Sequence, residues 1–385
     1  MKRFYYILQL VLLVVFGSCN NAMHEVAMEL EQVKQKYVPD TRVAVFDVEV
    51  LFRNGDLIIK GETTSNDAKA DLLNHLNKIH KTVIDSLVVL PVSNEFGCYA
   101  LVTISVANLR EFPRHSSQLV SQIILGTPVK VLKTDGDWSL VQCPDKYIGW
   151  TNNSSLTNLS DEEFQNWKGS KRVIILNDAW LRDEQGMVVC DMVKGSIVEL
   201  IEKDNSECKL ALPDGRQGKV SEDSILDFET WLNKIDLNPK ALVEDAKNLL
   251  GLPYLWGGTS SKALDCSGFV KTIYFLNGYV LMRDASQQIH YGEGIDLDLD
   301  KLKQGDLLFF GNKEANKVTH VGMYIGNHEF IHASGFVMIN SLDSTRVNFS
   351  KDRLLSWLGA QRYVGQEESE GMVSVASHPW YVLLK

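Results

Sequence analysis

Four landmarks recur in this chain at one fixed spacing. Gly126, Pro144, Asp145 and Gly149 are each matched 69 positions later, by Gly195, Pro213, Asp214 and Gly218. The first copy reads Leu-Gly-Thr-Pro-Val and then Pro-Asp-Lys-Tyr-Ile-Gly-Trp. The second reads Lys-Gly-Ser-Ile-Val and then Pro-Asp-Gly-Arg-Gln-Gly-Lys. Short apolar runs with glycines held in phase call for the same strands and turns twice. The spacing therefore predicts two copies of one small β-barrel, over 96–168 and 169–228. The copies are unequal: Lys219 stands where the first has Trp150. Trp138 and Trp150 are assigned to barrel packing in preference to sugar-binding platforms.

The rest of the 385 residues must hold further domains. Lys2 and Arg3 precede an apolar run from Phe4 to Phe16, followed by Gly17, Ser18 and Cys19. A basic start, a short apolar stretch and small residues before a cut site read as a secretory signal over 1–19. The run is too short to span a bilayer as a helix. Phe16-Gly17-Ser18-Cys19 resembles the lipobox of bacterial lipoproteins, with Phe16 in place of the more usual Leu. Cys19 is thus the expected lipidation site, the lipid the expected membrane contact, and the outside of the cytoplasm the expected location. A formal net charge of −10 with no long Lys/Arg block speaks against a nucleic-acid binder. Over 20–95 a helix (24–37), a strand (Arg42–Phe52), an Asn54-Gly55 turn, a returning strand, a helix (Asp67–Lys81) and a strand (Thr82–Leu90) predict a small α/β domain.

Six cysteines are too few for a disulfide scaffold. Without Cys19 an odd number remains, Cys98, Cys143, Cys190, Cys208 and Cys266, which makes one reactive thiol worth seeking. No CxxC pair occurs, so structural zinc is not expected, nor is any cofactor. Asp296, Asp298 and Asp300 alternate with leucines but lack the Gly and Glu of a calcium loop, and read as a solvated strand or loop.

The chemistry is expected in 229–367. A helical stretch over 229–248 leads to a glycine-rich loop ending at Asp265. Cys266 then opens a helix that runs to Asn277, with Gly278 as its stop. A cysteine at a helix N-terminus is favoured as thiolate by the dipole, and the free N–H groups there can hold an oxyanion. Gly305–Phe310 and Val318–Gly326 read as strands, and period-two alternation puts His320, Gly322 and Tyr324 on one face. Asn327-His328 is a turn, and Glu329–Ala333 returns carrying His332. One imidazole would take the thiol proton while the second holds its ring in the right tautomer.

These residues carry a family resemblance. Pro253-Tyr254, Trp256-Gly257-Gly258, Asp265-Cys266-Ser267-Gly268-Phe269, Gly305-Asp306-Leu-Leu-Phe-Phe310, His320-Val-Gly-Met-Tyr-Ile-Gly326 and Ile331-His332-Ala333 resemble the NlpC/P60 cell-wall cysteine peptidases. The repeat resembles bacterial SH3-like (SH3b) domains. Together they are similar to γ-D-glutamyl-L-diamino-acid endopeptidases, which cut peptidoglycan stem peptides. The resemblance implies a multidomain α+β chain: a papain-like catalytic domain preceded by two SH3-like barrels and the small α/β domain. It implies Cys266 as nucleophile, His320 as base and His332 as the orienting residue. Tyr254 would bond beside the nucleophile, and Asp265 and Ser267 would flank a D-glutamate pocket. Asp284 would partner the substrate's free amine and Ser286 would line the site beside it, while Tyr147 reaches in from the first SH3b domain, with Gln118 where relatives carry an acid. An amide there keeps a hydrogen bond but loses the charge-assisted part, roughly half its strength. Two other readings stay open at this point: a wall-binding protein without activity, and an amidase or acyltransferase acting on another amide. Residues 368–385 lie beyond the family's usual end and carry no role from sequence.

Overall fold

The computed structural model describes residues 19–92, 97–204, 206–366 and 370–383. The signal reading over 1–18 lies outside them, as does the side chain of Cys19. Among the described residues no helix is long and apolar enough to cross a membrane. The chain divides into two compact units, 1–90 and 91–385.

The first unit holds α1 (Cys19–Tyr37), β1 (Phe46–Arg53), β2 (Asp56–Thr63), α2 (Asn66–Ile79) and β3 (Val83–Val89). Asn54 and Gly55 both take positive φ in the β1–β2 turn, the backbone that an Asn-Gly hairpin needs. β3 returns parallel to β2 through α2, which is capped by Ser65. Leu57, Ile59, Leu72, Leu76 and Leu87 fill the space between helices and sheet.

The second unit opens with β4 (Tyr99–Val102), β5 (Val106–Arg110), β6 (Leu119–Ile124), β7 (Pro128–Asp135), β8 (Trp138–Gln142), β9 (Ile148–Asn152) and β10 (Leu156–Leu159). After α3 (Asp161–Gly169) come β11 (Arg172–Ile175), β12 (Ala179–Arg182), β13 (Val188–Met192), β14 (Ile197–Asp204), β15 (Glu207–Ala211), β16 (Gln217–Ser221) and β17 (Ile225–Asp227). The first sheet runs β10-β4-β7-β8-β9-β5-β6. The second, read from its β17 end, runs β17-β11-β14-β15-β16-β12-β13. Strand for strand this is one order used twice. Gly126 and Gly195 occupy the same turn, before the long fourth strand of each module (β7 and β14), both at positive φ.

The helical stretch expected over 229–248 is two helices, α4 (Phe228–Leu232) and α5 (Pro239–Lys247). Pro239 has no N–H to give and sits at the first turn of α5, with Asn238 as its cap, so a continuous helix is excluded. The rest comprises the short pair β18 (Thr259–Ser260) and β19 (Ala263–Leu264), then α6 (Cys266–Leu276), β20 (Tyr279–Leu281), α7 (Ala285–Gln288), β21 (Glu293–Ile295), β22 (Leu307–Asn312), β23 (Lys317–Gly326), β24 (Glu329–Ser334), β25 (Phe336–Ser341), α8 (Lys351–Ser356), β26 (Trp357–Arg362) and β27 (Met372–Ser374). An antiparallel sheet in the order β21-β26-β22-β23-β24-β25 receives α6 on one face. Phe269, Val270, Ile273 and Tyr274 of α6 are fully buried there. The aspartates at 296, 298 and 300 form a capped turn, with Lys301 paired to Asp296 in solvent.

The C-terminal segment is built into this unit. β27 pairs with β20, and Tyr381 is buried against Phe275. His378 Nε2 donates to the Pro144 carbonyl at 3.1 Å, and Trp380 meets Tyr99 edge-on. The tail therefore touches β20 and α6 on one side and the first β module on the other.

Candidate active site

Asp265 caps α6 and holds the surrounding loops. Its Oδ1 accepts from the Gly268 N–H at 2.7 Å, and its Oδ2 accepts from the Gly257 N–H at 2.9 Å. Buried Arg283 donates to both oxygens, at 3.2 and 2.5 Å, and also to Ser267 Oγ at 3.0 Å and Ser121 Oγ at 2.9 Å. Ser121 lies on β6, so this one guanidinium fastens the first β module to the start of α6. Gly257 has a φ of +82°, and a Cβ there would stand 2.7 Å from Leu119 on the same strand. The paired glycines after Trp256 thus let the loop lie against β6. Thr259 completes the seam, its Oγ1 donating to the Gln122 carbonyl at 2.7 Å.

Cys266 is the first residue of α6 and 8% exposed. The helix-dipole argument predicts a lowered thiol pKa, and the structure reverses it. Burial first, then the Asp265 charge, push the thiol up to about 11, against smaller opposing pulls from the Val321 N–H, Arg283 and the Ser267 N–H. A helix terminus is worth about 1 kcal/mol, whereas burying an isolated charge costs several. Burial also pushes His320 well below its ordinary value, with Arg353 and His332 adding to the push, and holds His332 near about 4. At rest the thiol is protonated and the His320 imidazole neutral. Iodoacetamide inactivation should therefore be slow at pH 6 and rise by about tenfold per pH unit between 7 and 9. A rate already at its plateau by pH 5 would instead mark a resting ion pair.

β23 and β24 bring the two histidines together. His320 Nε2 and His332 Nδ1 are 2.7 Å apart, and His332 Nε2 lies 2.8 Å from Asn340 Oδ1. The Asn340 Nδ2 donates to the Asn348 carbonyl, which fixes its Oδ1 as an acceptor. His332 must then carry its proton on Nε2, and its Nδ1 must accept from His320 Nε2–H. This leaves the His320 Nδ1 lone pair as the free one. Gly322 makes the approach possible, since a Cβ there would lie 2.9 Å from Phe330 and 3.0 Å from the His332 Cβ.

Gln118, Tyr147, Tyr254, Asp265, Cys266, Ser267, Asp284 and Ser286 all line one cleft of about 500 Å³, together with Trp256, Arg283 and Lys317. Tyr147 reaches it from the first β module, its hydroxyl donating to Asp284 Oδ2 at 3.4 Å. The turn carrying Tyr147 is braced by Asp145, which accepts the Tyr147 N–H at 3.0 Å and pairs with Lys271 of α6 at 3.1 Å. Tyr254 stays a phenol, pushed up to about 12 by burial and the nearby Cys266 and Asp265. His328 occupies the β23–β24 turn, with φ +60°. Asp265 borders the cleft, but its oxygens serve protein donors. Sequence reasoning missed Arg283 as the anchor of this cap, though it stands next to Asp284. It also missed Asn340, which no motif marks. Asn340 is diagonal to His332 across β24 and β25, a relation only strand register reveals.

Comparison with known proteins agrees with this geometry. The model of the NlpC/P60 family matches residues 251–357, and that of the bacterial dipeptidyl-peptidase Sh3 domain matches 109–156. The chain is 28% identical over 277 residues to dipeptidyl-peptidase 6 of Lysinibacillus sphaericus, covering 66% of this chain and 95% of that protein. It is 29% identical over 222 residues to the γ-D-glutamyl-L-lysine dipeptidyl-peptidase of Bacillus subtilis, covering 55% and 71%. A crystal structure of an NlpC/P60 family protein from Bacillus cereus aligns with a TM-score of 0.61 at 25% identity, over 69% of this chain and 99% of that one. With a cysteine at the start of α6 and a histidine pair across β23 and β24, the chain carries a cysteine peptidase domain of the NlpC/P60 family, preceded by an SH3 domain of the bacterial dipeptidyl-peptidase kind.

Proposed function

We propose that this protein hydrolyses the γ-D-glutamyl–L-diamino-acid bond of freed peptidoglycan stem peptides. The observation that carries the reading is the reach of the first β module into the cleft. Tyr147 of the first β module bonds to Asp284, and Gln118 lines the same cleft, so a short acyl chain bound there would bring its free amine to that carboxylate. The names of the relatives point the same way, toward a γ-D-glutamyl bond to lysine.

Cys266 Sγ attacks the carbonyl carbon while His320 Nδ1 takes the thiol proton. The neutral resting pair makes that transfer part of the attack. His332 accepts from His320 Nε2–H and keeps the imidazolium oriented, and Asn340 fixes His332. The Gly268 N–H is taken by Asp265, so the Cys266 and Ser267 N–H groups, with the Tyr254 hydroxyl, are the donors for the oxyanion. The C–N bond then breaks as His320 returns its proton to the leaving amine. Water, deprotonated by His320, cleaves the thioester and frees L-Ala-D-Glu. Ser267 and Ser286 border the glutamyl portion. The second seven-stranded module is read as a second SH3-like barrel. The first unit is read as a spacer or binding module, and Cys19 as the lipid anchor of an extracytoplasmic protein.

The test is digestion of L-Ala-γ-D-Glu-diaminopimelate, of its N-acetyl form and of purified sacculi. The free tripeptide should release L-Ala-D-Glu. Acetylation should cut kcat/KM roughly 10- to 100-fold, the worth of a charge-assisted bond to Asp284. Sacculi degraded as fast as the tripeptide would overturn the reading.

A further inference from the structure

Arg353 stands beside the histidine pair without an anionic partner. Its guanidinium is half-buried, donates to Ser334 Oγ at 3.3 Å and lies 5.6 Å from the Phe310 ring. Ser334 is two residues beyond His332 on β24, and the Phe310 ring is 5.9 Å from that of His320. Among the described residues no carboxylate is within ion-pairing distance of it. Arg283 and Arg362 of this domain do hold carboxylates: Arg283 holds Asp265 at 2.5 Å, and Arg362 holds Asp306 at 2.7 Å. A guanidinium drawn half out of water is poorly repaid by one hydroxyl and one ring. Its charge also disfavours protonated His320 and His332, a cost at the base itself.

The position says which part of a substrate it would meet. Arg353 and Ser334 do not line the cleft that ends at Tyr147 and Asp284. The Tyr254 N–H donates to the Gly335 carbonyl at 2.9 Å, so Ser334 and Arg353 adjoin the nucleophile from the Tyr254 side. His320 returns its proton to the departing amine, so the leaving residue passes on the side of the histidine pair, where this cation waits. Planar carboxylates are the anions a guanidinium fork binds best in a peptide.

We propose that Arg353 binds a carboxylate of the leaving residue, making the enzyme selective for stem peptides whose diamino acid presents that group free. The inference rests on the reaction proposed above. The carboxylate has two sources: the side chain of diaminopimelate, or the main-chain terminus of a peptide that ends at the diamino acid.

Four substrates separate the cases. Each is L-Ala-γ-D-Glu followed by diaminopimelate, diaminopimelate amidated on its side-chain carboxylate, L-Lys, or L-Lys amide. The wild type should favour the carboxylate over its amide by at least about tenfold in one matched pair. Arg353→Gln should lower kcat/KM on the favoured member roughly 10- to 100-fold, mostly through KM, and change its amide less than about threefold. Arg353→Lys should restore part of the loss, which also controls for folding. Discrimination in the diaminopimelate pair assigns the side chain, and discrimination in the lysine pair assigns the terminus. Equal wild-type rates within both pairs, or an equal loss on all four in Arg353→Gln, would overturn the inference while leaving the reaction standing. A wild type that releases L-Ala-D-Glu from none of the four would remove the reaction and the inference together.

Discussion

Cys266→Ala should lower turnover of the tripeptide by a factor of roughly 10⁵ or more, with an unchanged unfolding midpoint. The expected size follows from the geometry. The Sγ is the atom that forms the bond, and among the described residues no second thiol lines the cleft. Ser267 is adjacent, but its hydroxyl accepts from Arg283 and lies 3.4 Å from Asp265, so it is held by the cap. Removing one sulfur from the first turn of a helix whose packing rests on Phe269, Val270 and Ile273 leaves the fold intact. Cys143, Cys190 and Cys208 are buried in the β modules, with thiols pushed up by desolvation. Changing them to serine should leave kcat within about threefold. A Cys266→Ala protein that retained more than a hundredth of the activity would refute the assignment.

His332→Leu should cost roughly 10²- to 10⁴-fold in kcat with KM little changed. Leucine fills the same space but accepts no hydrogen bond. The His320 Nε2–H then loses its acceptor inside the protein, and the ring can turn or switch tautomer and withdraw Nδ1 from the thiol. His332→Gln keeps an acceptor and should recover at least tenfold over the leucine variant. The pH profile gives an independent readout. Because burial and Arg353 hold His320 below its ordinary range, it stays neutral as pH falls through 6.5, so the acid limb of kcat/KM should lie below that value. A limb at or above 6.5 would mean that the base is less buried than the structure places it.

Particular residues show how far the sequence carried. The Asp265-Cys266 helix start was legible because an Asx cap, a following apolar face and Gly278 are local signals. The return strand with His332 was legible because Asn327-His328 marks a two-residue turn. The 69-residue spacing reappears as one strand order used twice. What stayed hidden depended on distant partners. Arg283 is bonded to Ser121, 162 positions away, and Asn340 is placed by the pairing of β24 with β25. The thiol's protonation was misjudged because sequence shows the helix terminus but not the depth of burial. The break between α4 and α5 was overridden by apolar spacing, although Asn238-Pro239 is itself a start signal. The C-terminal tail carried no motif, yet Tyr381 and His378 tie it to the first β module.

The central claim is that peptide bond cleavage passes through an acyl group on Cys266. Rapid acid quench of the wild type with L-Ala-γ-D-Glu-diaminopimelate, followed by proteolysis and mass spectrometry, tests it directly. The account predicts an L-Ala-D-Glu adduct on the fragment that contains Cys266 and on no other cysteine. Turnover without any such adduct, in a quench fast enough to catch the first cycle, or an adduct on Cys98, Cys143, Cys190 or Cys208, would contradict it.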